Sequence, residues 1–166
     1  MDILQQHEIF EIEVLDLLHR SRILDPLVFG GGTMLRLCHE LNRYSVDLDF
    51  WFIKEVQETE FFANAKQLLA KNYELTDSQI KNFSMILELR STTYPKRLKI
   101  EIRRKKTDMD FQESLDQDSL ERFQNKLNKF KQTDFKVKLY IGAGHAQILY
   151  FSGICLLAGK TAVPLR

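Results

Sequence analysis

A chain of 166 residues that is 44% hydrophobic and 28% charged can bury a core of its own, which excludes an intrinsically disordered tail. A formal net charge of +1 provides no global field that would commit the chain to a nucleic acid or a membrane surface. Cys38 and Cys155 form neither a close pair nor a metal-spaced motif. A reduced, cytoplasmic setting is therefore the simplest reading.

Along the chain, Phe10, Val14, Leu17 and Leu18 form one stripe of a helix from Ile3 to about His19, ended by Asp25-Pro26. Leu27-Val28-Phe29 reads as a short buried strand running into glycine. Thr33 to Leu41 reads as a helix, with Cys38 on its apolar face. In the next strand, Val46 to Ile53, Leu48, Phe50 and Phe52 share one face, and Asp47, Asp49 and Trp51 share the other. A helix over Glu55 to Tyr73 precedes two strands, Phe83 to Arg90 and Arg97 to Arg104, separated by the turn-like STTYP. Further on, Leu120, Phe123, Leu127 and Phe130 repeat at helical spacing after an Asp118/Glu121 start. Phe135 to Ile141 then predicts a strand, and Ala146 to Leu157 a helix. Together these predict an α+β (α/β) domain with a small mixed or antiparallel sheet flanked by helices.

The chemistry is concentrated in FGGGTMLRLCHELNRYSVDLDFWF, Phe29 to Phe52. Asp47 and Asp49, two apart on a strand, send both carboxylates from the same face. Adjacent carboxylates repel unless a proton or cation lies between them, and hard oxygen ligands on a rigid strand suit Mg²⁺. Gly31, Gly32 and Thr33 come just before a helix, where free backbone N–H groups and the helix dipole attract phosphate. The Thr33 hydroxyl is placed to cap that helix or bond the phosphate. A third carboxylate would complete a two-metal site. Glu101 is the candidate, being the sole acid among the seven basic residues of PKRLKIEIRRKK, Pro95 to Lys106. Lys99 and Arg103 beside it, with Arg43 and Ser45 before the aspartates, are candidates for the triphosphate or an acidic polymer.

Each element also has a plainer reading. An Asp-x-Asp pair is common on surface strands, a glycine triplet can be a tight turn, and Glu101 can simply neutralise its neighbours. The basic run can be a solvated strand edge. The order of strand, glycine turn, helix and Asp-bearing strand is more specific than any of its parts. Other motifs fail on spacing. Gly159-Lys160-Thr161 lacks the first glycine of a Walker A loop, and Gly142/Gly144 lack the third glycine of a dinucleotide fingerprint. His7, His19, His39 and His145 show no ligand spacing and are assigned surface or capping roles. Ile141 to Gly159 carries no charged side chain, but its glycines, His145, Gln147 and Ser152 make it a buried or interface-facing helix rather than a membrane span.

GGTMLRLCHELNRYSVDLDF resembles the first motif of the nucleotidyltransferases grouped with the AbiEii/AbiGii abortive-infection toxins. Gly31, Gly32, Thr33, Arg43, Ser45, Asp47, Leu48, Asp49 and Phe50 match its Gly-Gly-Thr/Ser and Arg-x-Ser-x-Asp-Leu-Asp-Phe elements. LKIEI, Leu98 to Ile102, is similar to the strand supplying the third acid, here Glu101. The resemblance covers roughly Leu27 to Arg103. It implies the polymerase-beta-like nucleotidyltransferase fold and Mg²⁺-dependent transfer of a nucleotide from NTP. It also implies a toxin working beside an antitoxin in a toxin–antitoxin or phage-defence system, with RNA as acceptor and tRNA a prominent target.

The expected organisation is one nucleotidyltransferase-like domain over residues 1–166, with its core at 27–105 and a divergent or truncated part at 106–166. In that last part Gly153 stands where the family carries a Lys, and the sequence ends at Arg166 before any matching Asp. This departure admits an alternative: a catalytically impaired nucleotide-binding or interaction module of the same fold. The apolar C-terminal segment is a candidate surface for homo-oligomerisation or partner docking.

Overall fold

The computed structural model describes residues 2–39 and 44–105, together with three strands at 111–114, 137–142 and 147–151. Side chains are described for residues 2–37 and 44–105. The predicted Leu120–Phe130 helix, Arg43, Gly153 and most of the apolar C-terminal segment fall outside the described residues, as does the side chain of Cys38.

The first helix, α1 (Ile3–Arg20), buries Phe10, Val14 and Leu18 as its stripe requires, and also His7, Glu8, Glu11 and Asp16. Strand β1 (Leu27–Gly30) is buried throughout and leads directly into α2 (Gly31–His39). Gly31, Gly32 and Thr33 are thus the first turn of that helix, not a loop preceding it. Strand β2 (Asp47–Phe52) alternates as expected, with Leu48, Phe50 and Phe52 buried. Burying each such side chain contributes about 2 kcal/mol, so a shift by one residue, which would exchange the two faces, is strongly disfavoured.

Helix α3 (Glu58–Ala70) is followed by β3 (Glu74–Ile80), β4 (Ser84–Arg90) and β5 (Leu98–Arg103), then by β6 (Phe111–Ser114), β7 (Val137–Gly142) and β8 (Gln147–Phe151). They form one mixed sheet in the order β3-β4-β5-β2-β1-β8-β7-β6. Neighbours are antiparallel except β2 and β5, which run parallel. A parallel pair needs a long crossover, supplied here by α3, β3 and β4. The core packs Phe10 and Leu15 of α1 and Met34 and Leu37 of α2 with Phe29, Phe50, Leu87 and Ile100 of the sheet.

The predicted α+β architecture with a mixed sheet is observed, with three differences. β3 lies at one edge of the sheet, and its polar run of Thr76, Asp77, Ser78 and Gln79 carries no apolar alternation, so sequence periodicity passes over it. β6 is likewise absent from the sequence reading. The helix expected over Ala146 to Leu157 is replaced at Gln147–Phe151 by β8, which pairs with β7 and with β1 at Phe29↔Leu149. A short apolar run has no periodicity to separate strand from helix, and β-branched and aromatic residues favour the strand once partners are present.

Candidate active site

The alternation of β2 places Asp47 and Asp49 on the face away from Leu48 and Phe50. The parallel pairing sets Asp47 opposite Lys99, Asp49 opposite Glu101 and Trp51 opposite Arg103. Both acids of β2 and the acid of β5 therefore occupy neighbouring positions on one sheet face. Lys99 Nζ lies 2.8 Å from Asp47 Oδ2 and 3.6 Å from Glu101 Oε2. An Arg103 guanidinium nitrogen lies 3.2 Å from Glu101 Oε1. Burial, followed by the like charges of Asp47 and Glu101, pushes the Asp49 carboxyl up from its usual range, against the pull of Lys99 and Arg103.

The glycines belong to this same face. Gly31 has φ +76°, a conformation that side-chain-bearing residues rarely adopt, and a Cβ there would overlap the Asp49 carboxylate. A Cβ on Gly32 would stand 2.9 Å from Ser45 Oγ. The first turn of α2 thus passes against both Asp49 and Ser45, and this is the physical reason for glycine at both positions.

Thr33 has a different role from the one expected. It is 0% exposed, and its hydroxyl donates to the Asp47 carbonyl at 2.7 Å while lying 3.2 Å from Glu11 Oε1. A hydroxyl has one hydrogen to donate, and the carbonyl takes it. The side chain therefore holds the β2 backbone and is not presented to a phosphate. Glu11, 2% exposed, is pushed up to about 9 by burial, so at neutral pH it is a carboxylic acid able to donate to the Thr33 oxygen. His7 Nε2 lies 3.2 Å from the Val46 carbonyl, and burial lowers the His7 pKa, which favours the neutral ring donating from Nε2.

His7 is accordingly buried and is not the surface or capping residue expected. It ties α1 to Val46, just before β2, while Glu11 ties α1 to Thr33 of α2. Glu11 carries no signal of its own in the sequence, although both residues continue the Phe10–Val14–Leu18 stripe, where a polar side chain must find a buried partner. Further along, Glu8 meets Arg36 at 3.5 Å, and the Arg36 guanidinium sits 4.3 Å over the Tyr44 ring.

Among the described residues, no three His, Cys, Asp or Glu side chains stand grouped as a ready metal cage. The Lys99 ammonium bridges two of the three acids instead. The donor set nevertheless fits a hard divalent cation: three carboxylates project from adjacent positions of two paired strands, and Asp49 is left crowded by like charge.

The family described as nucleotidyl transferase AbiEii toxin, type IV TA system, matches residues 14–140, a span that includes all three acids. The chain belongs to the AbiEii family. His7 and Glu11 precede the span matched by the AbiEii model. No match is found among curated proteins. Two solved structures from Helicobacter pylori are similar. One, described as a candidate nucleotidyltransferase, is 23% identical with a TM-score of 0.42, the match covering 64% of this chain and 49% of that one. The other, JHP933, is 21% identical with a TM-score of 0.40, covering 65% of this chain and 48% of that one. The chain spans about half the length of each.

Proposed function

We propose that this AbiEii-family chain transfers a nucleotide from NTP to an acceptor at the face formed by Asp47, Asp49 and Glu101. The observation that carries this reading is the register of Asp49 against Glu101 in the parallel pair, with Asp47 on the same face. In the proposed reaction Asp47 and Asp49 would hold Mg²⁺, Glu101 would complete the ligand set, and Glu101 would help deprotonate the acceptor hydroxyl. The bound metal supplies charge neutralisation for the triphosphate and for the departing pyrophosphate.

The chain's own groups arrange the rest. The first turn of α2 passes against Asp49 and Ser45, and in the proposed reaction the N–H groups of Gly31 and Gly32, at the helix start, bond phosphate oxygens. Lys99 and Arg103 offer positive charge on the same strand, and Ser45 borders the glycine turn. Arg43, outside the described residues, is retained as a triphosphate contact from the family motif. The acceptor class we favour is RNA, tRNA above all. The family description supports a toxin partnered by an antitoxin, and we place the protein in the cytoplasm. Among the described residues, no helix is long and apolar enough to cross a membrane.

The test combines purified protein, Mg²⁺, each labelled NTP in turn and total RNA, repeated with Asp49→Ala. Label passing to RNA with the native chain and not with the variant is the expected outcome. Equal transfer by both, or none by either, counts against the mechanism. Gly153, standing where the family motif carries a Lys, favours one alternative, a nucleotide-binding module of the same fold. Calorimetric binding of Mg·NTP without turnover would select that alternative.

A further inference from the structure

Lys99 stands directly opposite Asp47 and two residues before Glu101 on the same strand face. Its ammonium contacts one carboxylate from each strand, Asp47 at 2.8 Å and Glu101 at 3.6 Å. Arg103, by contrast, reaches Glu101 through that residue's other oxygen. We propose that Lys99 is the resident cation of the carboxylate face, bridging β2 to β5 until a divalent ion displaces its ammonium. The inference rests on reading the three acids as a divalent-ion site.

Three properties suit Lys99 to this exchange. The pair is only half-buried, with side-chain exposures of 36% for Lys99 and 32% for Asp47, so water and salt keep the bond weak and reversible. An ammonium on a four-carbon stem is a mobile point charge, unlike the planar fork of arginine. A divalent ion brings twice the charge to the same oxygens and can also engage Asp49, which the bridge does not reach within ion-pair distance. Once released, the ammonium remains on the carboxylate face, able to meet an anionic ligand such as a phosphate. Without the bridge, Asp47 and Glu101, diagonal neighbours on the two strands, would repel each other. In this reading Lys99 preserves the site before metal arrives and weakens the affinity for metal alone.

The test is calorimetric titration of the full chain with Mn²⁺ in the absence of nucleotide. It compares the native protein with Lys99→Met, Lys99→Arg and Asp49→Asn, each checked for folding by circular dichroism. Lys99→Met is expected to bind Mn²⁺ roughly five- to tenfold more tightly than the native chain. Lys99→Arg, which keeps the charge, should stay near the native affinity, and Asp49→Asn should lose binding. Should methionine perturb the strand, Lys99→Gln repeats the measurement with a polar stem. Unchanged or weaker binding by the neutral variants, with Asp49→Asn still silent, overturns the role of Lys99 and leaves the carboxylate site standing. No Mn²⁺ binding by the native chain or by any variant overturns both.

Discussion

Gly31 and Asp49 occupy adjoining space: the hydrogen on the Gly31 Cα that a side chain would replace points at the Asp49 carboxylate. Any Cβ there would also lie 2.9 Å from Asp49 Cβ and 3.0 Å from its Cγ. The turn and the acid can coexist only because position 31 has no side chain. Gly31→Ala is therefore expected to destabilise the fold by about 2 kcal/mol, through both the +76° φ and the displaced carboxylate. Urea unfolding checks the first effect and Mn²⁺ titration the second. An alanine variant with native stability and native metal affinity would refute the relationship.

Thr33 fastens the start of β2 by a single hydroxyl. Thr33→Val keeps the shape and removes the donor, leaving the buried neighbourhood of the Asp47 carbonyl and Glu11 short of a partner. A loss of about 1–3 kcal/mol is expected, with Thr33→Ser recovering most of it. Because the bond acts on the Asp47 backbone, Thr33→Val should also weaken Mn²⁺ binding. Comparing unfolding midpoints and metal affinities across the three proteins checks both effects.

Glu11 makes stability depend on pH with a definite sign. Its folded pKa, about 9, lies above the ordinary value of 4.5, so between these limits the folded chain retains a proton that the unfolded chain releases. Through Glu11, stability is fully present below the unfolded value and declines as pH rises toward the folded one, by at most about 1.4 kcal/mol per pH unit. Glu11→Gln keeps a donor toward Thr33 and removes the titration. Denaturant unfolding at pH 6 and pH 8 should show a smaller loss in the variant than in the native chain. Parallel losses would mean that Glu11 is not the buried acid.

Asp49 should exchange stability for function. Its charge is disfavoured by burial and by its acidic neighbours, so Asp49→Asn removes a repulsion from the metal-free protein. The variant is expected to unfold about 0.5–1 kcal/mol later in denaturant and to transfer no nucleotide, as residues retained for chemistry often do. A variant that is both less stable and still active would contradict this placement.

Much of the site was legible before any coordinates. The period of two along Asp47–Phe52 assigns the acids to one face and the hydrophobes to the other, because burying Leu48, Phe50 and Phe52 leaves no other register. The family motif named Gly31 and Gly32, although the contact that demands glycine there lies with Asp49 and Ser45 and cannot be seen locally. Thr33 was misread because a hydroxyl at a helix start looks the same in sequence whether it faces a phosphate or a buried carbonyl. The surface or capping role expected of His7 fails, and Glu11 goes unremarked, because their partners lie 39 and 22 residues away. β3 and β8 were missed because an edge strand need not alternate and a short apolar run has no period.

By itself, the amino-acid sequence determined the faces of β2, the acids they carry and the family to which the motif points, since each depends on residue type and near-neighbour spacing. Only the tertiary structure decided that Glu101 stands beside Asp49, that Lys99 bridges the two strands and that α1 braces the entry to β2. Those relationships depend on a crossover through α3, β3 and β4 and on which helix covers the sheet. Long-range pairing of that kind is settled by how the whole core packs, and no local pattern encodes it.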